Sequence, residues 1–343
     1  MKLSPSIAAF QSSIERLCAL AGNCSDLAEL NLRAAQLFVG IDEPAVANCL
    51  STLDRWTELV DRGTRNFLPR FRAAPNEYWN SEPCFRVLVM TTILQRNIGV
   101  AYNFAFAEGE WDASDARNLF IHGPLQGFGG TCSTLPVIYA AIGHRLGYPI
   151  SLVETREHLF CRWDDGNERF NFEASGSGFA ARDDEYYRHW PYEISQKEVA
   201  MNGYLSTLSR TELLASFVSN GGQYLRDTMK YAKSLIAFNY ASRLAPDKGP
   251  LQDEWFIAIW VHRIAMGIAS LKLSREEFVS TPYRNIVMRG SPSPANEGER
   301  LGIDRAQQEL MRIDRNLSRN SASASLDAVL STPPHLWEQV RHV

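Results

Sequence analysis

One of the chain's six cysteines, Cys132, stands where a thiol would be activated. The run Gln126-Gly127-Phe128-Gly129-Gly130-Thr131-Cys132 is a glycine-rich loop that leads into a helix-forming stretch. Unpaired backbone N–H groups and the dipole at a helix start stabilise negative charge, so thiolate is favoured over thiol. Such a nucleophile needs a base to move its proton and a third group to hold that base. His158 and Glu173 follow in that order. Singly, each has an ordinary reading: a glycine turn with an incidental thiol, a half-buried strand histidine, a solvated carboxylate. Jointly they make the nucleophile, base and orienter of cysteine acyl transfer, a combination far more specific than its members.

The elements that must position them can be read from periodicity. Leu135, Ile138, Tyr139, Ile142 and Leu146 recur at helical spacing, and Gly147 with Pro149 ends that helix. Strands follow near 150–153, 158–163 and 169–173, the last two joined by Asp164-Asp165-Gly166-Asn167. If Asp165-Gly166 is a two-residue type I′ loop, His158 lies directly opposite Glu173. Opposed residues on one face have Cβ atoms about 4.5–5.5 Å apart, close enough for the carboxylate to accept a proton from one imidazole nitrogen. The other nitrogen is left for the thiol, which should come within about 4 Å of it. Asn171 shares that face, diagonal to His158, and is the alternative third member, which a β-bulge could promote. Cys161 alternates with His158 and should face away.

These residues resemble the transglutaminase-like branch of the papain-like cysteine enzymes, and in particular bacterial transglutaminase-like core proteins. The resemblance rests on Gly130-Thr131-Cys132-Ser133-Thr134-Leu135-Pro136, Arg145-Leu146-Gly147-Tyr148-Pro149, His158-Leu159-Phe160 and Phe170-Asn171-Phe172-Glu173-Ala174-Ser175. Where that family has Asp-Pro-Thr, this chain has Glu173-Ala174-Ser175. Gln126 resembles the glutamine of the papain-type Gln-Gly-x-x-Gly-Ser-Cys run, with Thr131 in place of the serine and Gly129 in place of a cysteine. The resemblance spans roughly residues 85–195, about a third of the chain. It implies a papain-like α+β core in which Cys132 attacks an amide or ester carbonyl, His158 exchanges the proton and Glu173 holds its tautomer. The oxyanion would be met by the Cys132 N–H and the Gln126 side chain. An acyl-enzyme would then be resolved by water or by an amine.

Beyond this core the pattern is helical. Ile7, Phe10, Ile14 and Leu17, then Leu50, Leu53, Trp56 and Val60, predict a helical region over 1–72, with Ser4-Pro5 as its first start signal. Another apolar helix is predicted over 85–95, and a long Gly-, Asp- and Asn-rich loop over 108–131. The catalytic core is expected over 73–195 and a second helical region over 196–285, where 231–246 has the look of half a helical-repeat unit. The remainder, 286–343, combines polar connectors at Ser291–Pro294 and Ser318–Ser325 with an amphipathic helix through Ile303, Ala306, Leu310, Ile313 and Leu317.

Several other residues are weighed for a place near the site. His122 precedes the glycine loop and, with Gly130, Thr131 and Trp190, is a candidate for lining the cleft. Tyr186, Tyr187, His189 and Trp190 could wall a cleft or simply pack. His144 lies off the apolar stripe of its helix, and Trp255, Phe256, Trp260 and His262 read as core.

Composition narrows the function class. Hydrophobic residues make up 45%, enough to exclude a mostly disordered chain. With 35 Lys and Arg against 39 Asp and Glu, the net charge of −4 offers no general attraction to nucleic acid or an anionic membrane. The longest apolar stretch, around Phe85–Leu94, falls short of the roughly 20 residues of a spanning helix, and Glu15 and Arg16 interrupt the start where a signal peptide would be apolar. No Cys-x-x-Cys pair suggests a disulfide framework or zinc site, so reduced thiols, no metal and no cofactor are expected. The expectation is a cytoplasmic cysteine hydrolase or peptidase acting on a protein or peptide. A glutamine transamidase or deamidase, and a non-catalytic scaffold that binds a protein partner through its C-terminal helices, are the alternatives.

Overall fold

Side-chain caps start several of the helices in the computed structural model, which describes residues 5–103, 112–271, 301, 304–306, 308–313 and 315. Helix α1 spans Pro5–Asn23. Asp26 caps α2 (Leu27–Val39) by accepting from the Ala28 N–H at 2.8 Å, and Gly40 at φ 89° ends it. Asp42 starts α3 (Glu43–Ala73) by accepting from the Ala45 N–H at 2.9 Å. Ser81 starts α4 (Glu82–Thr92), which runs on as a π-helical turn, Ile93–Ile98, to Gly99 at φ 88°. The helical N-terminal region is thus three helices, and the predicted 85–95 helix begins a turn earlier than its apolar residues announce, because its cap is polar.

The 108–131 stretch is more ordered than its composition suggests. Residues 104–111 lie outside the described set, but Ala116–Asn118 forms a 3₁₀ turn and His122–Leu125 a single helical turn. Leu119, Phe120 and Ile121 are buried, and the Ile121 N–H donates to the Asn31 side chain at 3.0 Å, tying this stretch to α2.

Next comes α5 (Leu135–Arg145), buried along every side from Leu135 to Gly143, so it is a central helix and not a surface one. It stops at Gly147, φ 71°, as expected. The chain then forms an antiparallel meander in the order β1-β2-β3-β4: Ile150–Thr155, His158–Asp164, Arg169–Phe172 and Ala181–Arg182. Alternation divides its faces. Cys161 donates to the Pro136 carbonyl and Phe172 lies against Tyr139, so that face carries α5. Val153 and Phe160 on the other face pack against Tyr187 of α6 (Asp184–His189). Cys161 therefore does face away from His158.

The β2–β3 register differs from the expected one by two residues. The pairs are Cys161–Phe172, Arg162–Asn171, Trp163–Phe170 and Asp164–Arg169, which leaves a four-residue loop, 165–168. A type I′ turn needs positive φ at both central residues, and only Gly166, at 84°, has it. Instead the Asp165 carboxylate accepts from the N–H groups of Asn167 and Glu168 at 2.9 and 2.8 Å, building a wider turn. A slip of two keeps every side chain on its face.

Helices α7 (Gln196–Asn202), α8 (Arg210–Asp227), α9 (Tyr231–Leu244) and α10 (Gly249–Leu271) complete the described chain, with helical residues again at 304–306 and 308–313. Two compact units result, one from Leu17–Glu108 and Asp115–Phe217, the other from Met1–Arg16, Gly109–Ser114 and Val218–Val343. In the second, α9 and α10 pack through Leu235, Phe238 and Ala258. Trp260 and His262 are core as expected, whereas Phe256 is exposed. Ala306, Leu310 and Ile313 are buried, in line with the predicted amphipathic helix; Ile303, Leu317 and both Ser-rich connectors lie outside the described residues. Buried Arg226 meets Glu254 at 2.6 Å and Glu309 at 3.4 Å, and Arg312 meets Asp227 at 2.8 Å. No helix among the described residues is long and apolar enough to cross a membrane.

Candidate active site

Cys132 lies in the turn before α5 and not on the helix itself. Thr131 sets up that turn: its carbonyl accepts from the Leu135 N–H at 3.0 Å, its hydroxyl donates to the Asn118 carbonyl at 2.7 Å, and its N–H donates to the Thr134 hydroxyl at 2.8 Å. No hydrogen bond of the Cys132 N–H is found among the described residues, as is usual for the first N–H groups at a helix start. Thr131 is fully buried, so it builds the loop and does not line a cleft. Gly130 is also buried; a Cβ there would meet the Leu135 side chain at 2.3 Å.

His158 opens β2. Its Nε2 stands 2.7 Å from Glu173 Oε2, and the other carboxylate oxygen, Oε1, accepts from the Ser175 N–H at 2.8 Å. With Nε2 engaged, Nδ1 is the nitrogen left for Cys132, which is near enough to act on the imidazole electrostatically. Burial works to lower the imidazole's pKa, but the hydrogen bonds and charges of Cys132 and Glu173 outweigh it and raise it to about 9. The imidazole thus holds its proton at neutral pH, the state that pairs with a thiolate.

Asn171 is not the orienting group. Its side chain accepts from Arg162 Nε at 2.7 Å and donates to Asp184 at 2.8 Å, and Arg162 and Asp184 also pair with one another. The oxygen of the amide is taken by the buried Arg162, a charge that cannot be left without partners, and its nitrogen by Asp184, the carboxylate that pairs with that arginine.

Aromatic rings enclose the imidazole. Trp190 sets its ring edge-on to His158 at 4.7 Å between centroids while remaining 37% exposed. Tyr187 lies 6.3 Å from His158 and nearly parallel to it, stacks on Phe160 at 3.6 Å and directs its hydroxyl to Glu173 Oε2 at 3.5 Å. The aromatic cluster therefore belongs to the site. His189 does not: it is exposed and paired with Glu185.

The expected oxyanion donor Gln126 and the cleft candidate His122 lie at the two ends of the one-turn helix. Gln126 is exposed, and its N–H closes the one-turn helix on His122 and Gly123; its side chain makes no hydrogen bond to Cys132. His122 is buried with Nδ1 unbonded among the described residues, and burial lowers its pKa, with Asp115 and Arg117 as its nearest charges.

Tyr102 is a neighbour the sequence reading missed. A parallel bridge joins it to Gly130, with Asn103 N–H to Gly130 O at 2.8 Å and Gly130 N–H to Ala101 O at 2.9 Å. Burial, then the charges of Cys132 and Glu173, push its phenol up to about 12, so it stays a neutral donor beside the site. Nothing in its local sequence signals this; the bridge alone brings it there. Among the described residues no three His, Cys, Asp or Glu side chains converge as metal ligands. Comparison with protein-family models, with curated proteins and with solved structures finds no match.

Proposed function

We propose that the chain is a cysteine-dependent amide hydrolase or peptidase of the transglutaminase-like type, working through an acyl-enzyme. The observation that carries this reading is the buried His158, bonded to Glu173 at 2.7 Å, with Cys132 near enough to act on the imidazole electrostatically. A thiol-bearing turn before a central helix, packed on an antiparallel sheet that holds the base and the acid, supports a papain-like core. The six free thiols suit a reducing compartment, and we place the protein in the cytoplasm.

In this mechanism the Cys132 thiolate attacks the amide carbon, a C–S bond forms, and the carbonyl electron pair moves onto oxygen, where the Cys132 N–H receives it. The protonated His158 passes its proton to the departing nitrogen as the C–N bond breaks. Water then gives a proton to neutral His158 and attacks the thioester, and the carboxylate product leaves as the thiolate returns. Glu173 keeps Nδ1 directed at the sulfur throughout. A peptide substrate would enter beside Trp190, the exposed ring next to the imidazole.

Alkylation of the protein with iodoacetamide across pH 4–9, read thiol by thiol by mass spectrometry, tests the reading. Cys132 is expected to react faster than the other five and to retain that reactivity below neutrality. Equal rates with an ordinary thiol titration would leave a non-catalytic scaffold. Incubation with a glutamine peptide and a primary-amine probe separates the fates of the acyl-enzyme: hydrolysis predicts free acid, and Cys132-dependent amine incorporation would favour transamidation.

A further inference from the structure

Glu173 Oε2 serves two donors. His158 Nε2 reaches it at 2.7 Å and the Tyr187 hydroxyl at 3.5 Å, a long bond of the kind that tightens in a working complex. Tyr187 is fully buried and held on three sides: its ring stacks on Phe160 at 3.6 Å and 5°, meets Trp190 edge-on, and its carbonyl accepts from the Thr155 hydroxyl at 3.0 Å. Its phenol cannot ionise usefully. Burial first, then the charges of Glu173, Cys161 and Tyr186, drive its pKa far above the ordinary tyrosine range, so the hydroxyl is a permanent neutral donor.

We propose that Tyr187 is a positioning residue that shares the Glu173 carboxylate with His158, tempering the carboxylate's hold so that the imidazolium can still release its proton to the departing nitrogen. This rests on the Cys132-His158-Glu173 reading. A carboxylate bonded only to His158 would stabilise the imidazolium more strongly and make it a weaker acid. The groups facing the imidazole are Cys132 from the turn before α5, Glu173 after β3 and Tyr187 from α6, with Tyr102 beside Cys132 and Glu173. Of these, Tyr187 is the neutral donor bonded to the oxygen that orients the base.

The test is an imidazole NMR titration of the full chain, with His158 assigned by its loss in His158→Gln. Wild type is expected to titrate near 9, and Tyr187→Phe, which keeps the ring on Phe160, about half a unit higher. Turnover of a peptide amide should fall about three- to tenfold in kcat with KM unchanged, and the alkaline limb of the kcat profile should move up with the imidazole. In a Glu173→Gln background the same Tyr187→Phe change should shift nothing. An unchanged or lowered His158 titration in Tyr187→Phe, with wild type near 9, overturns the proposal and leaves the triad reading standing. Turnover that survives Cys132→Ala overturns the triad reading itself. If Tyr187→Phe does not fold, 3-fluorotyrosine placed at 187, a stronger hydrogen-bond donor of nearly the same size, decides: it must lower the His158 titration below that of wild type, and an unchanged titration overturns the proposal.

Discussion

Glu173 meets His158 at 2.7 Å although the two are not opposite one another across their hairpin. The observed pairing of Cys161 with Phe172, continued by one residue, puts Phe160 opposite Glu173 and leaves His158 diagonal to it. A glutamate has the length to cover that diagonal, and the Ser175 N–H on its other oxygen aims it. A shorter carboxylate at the same place would fall short of the imidazole.

Removing the charge from that pair is the most direct probe of it. Glu173→Gln should lower the His158 pKa toward the ordinary imidazole value and reduce turnover by about 100-fold, within the range for a group that aligns a general base. Asn171→Ala should leave the His158 titration in place while destabilising the fold, since its loss strips two partners from the Arg162 and Asp184 cluster. A histidine titration by NMR alongside urea unfolding separates the two variants.

The raised pKa of His158 ties stability to pH. The folded protein holds this proton to about 9 whereas an unfolded imidazole releases it near 6.5. The resulting stability, of order 3 kcal/mol, is fully present below pH 6.5 and is lost as pH rises through 9. Urea midpoints taken at pH 6, 7.5 and 9.5 should fall in that order, and the slope should flatten in His158→Gln.

Gly130 places Cys132 by having no side chain. A Cβ there would lie 2.3 Å from Leu135 Cδ2 and 2.5 Å from Leu135 Cγ, at the residue that begins α5. Gly130→Ala should therefore cost about 1–3 kcal/mol in urea unfolding and slow Cys132 alkylation, because the shifted turn carries the thiol away from His158.

The Arg226 cluster tests the second compact unit independently of the site. Arg226→Ala removes the buried cation that Asp227, Glu254 and Glu309 share, and should cost about 3–5 kcal/mol. Arg226→Met together with Glu254→Gln should recover part of that loss. The unfolding of this unit is expected to respond while the His158 titration does not move.

Cysteine, base and acid in their order, the helix that ends at Gly147, and the face that each strand residue takes were all legible in the sequence, because each depends on local spacing or a period of two. Parity survived even the wrong turn length, which is why Glu173 remained on the face of His158. What the tertiary structure decided were the competitions. The Asp165 carboxylate, capturing two backbone donors, widened the turn; buried Arg162 claimed Asn171; the Thr131 bonds set Cys132 ahead of the helix; and a bridge to Gly130 delivered Tyr102 from thirty residues upstream. Thr131 with Asn118, and Tyr102 with Gly130, join partners well separated in the chain. Burial settles such choices, because a polar group taken out of water must bond to whatever packing brings within reach.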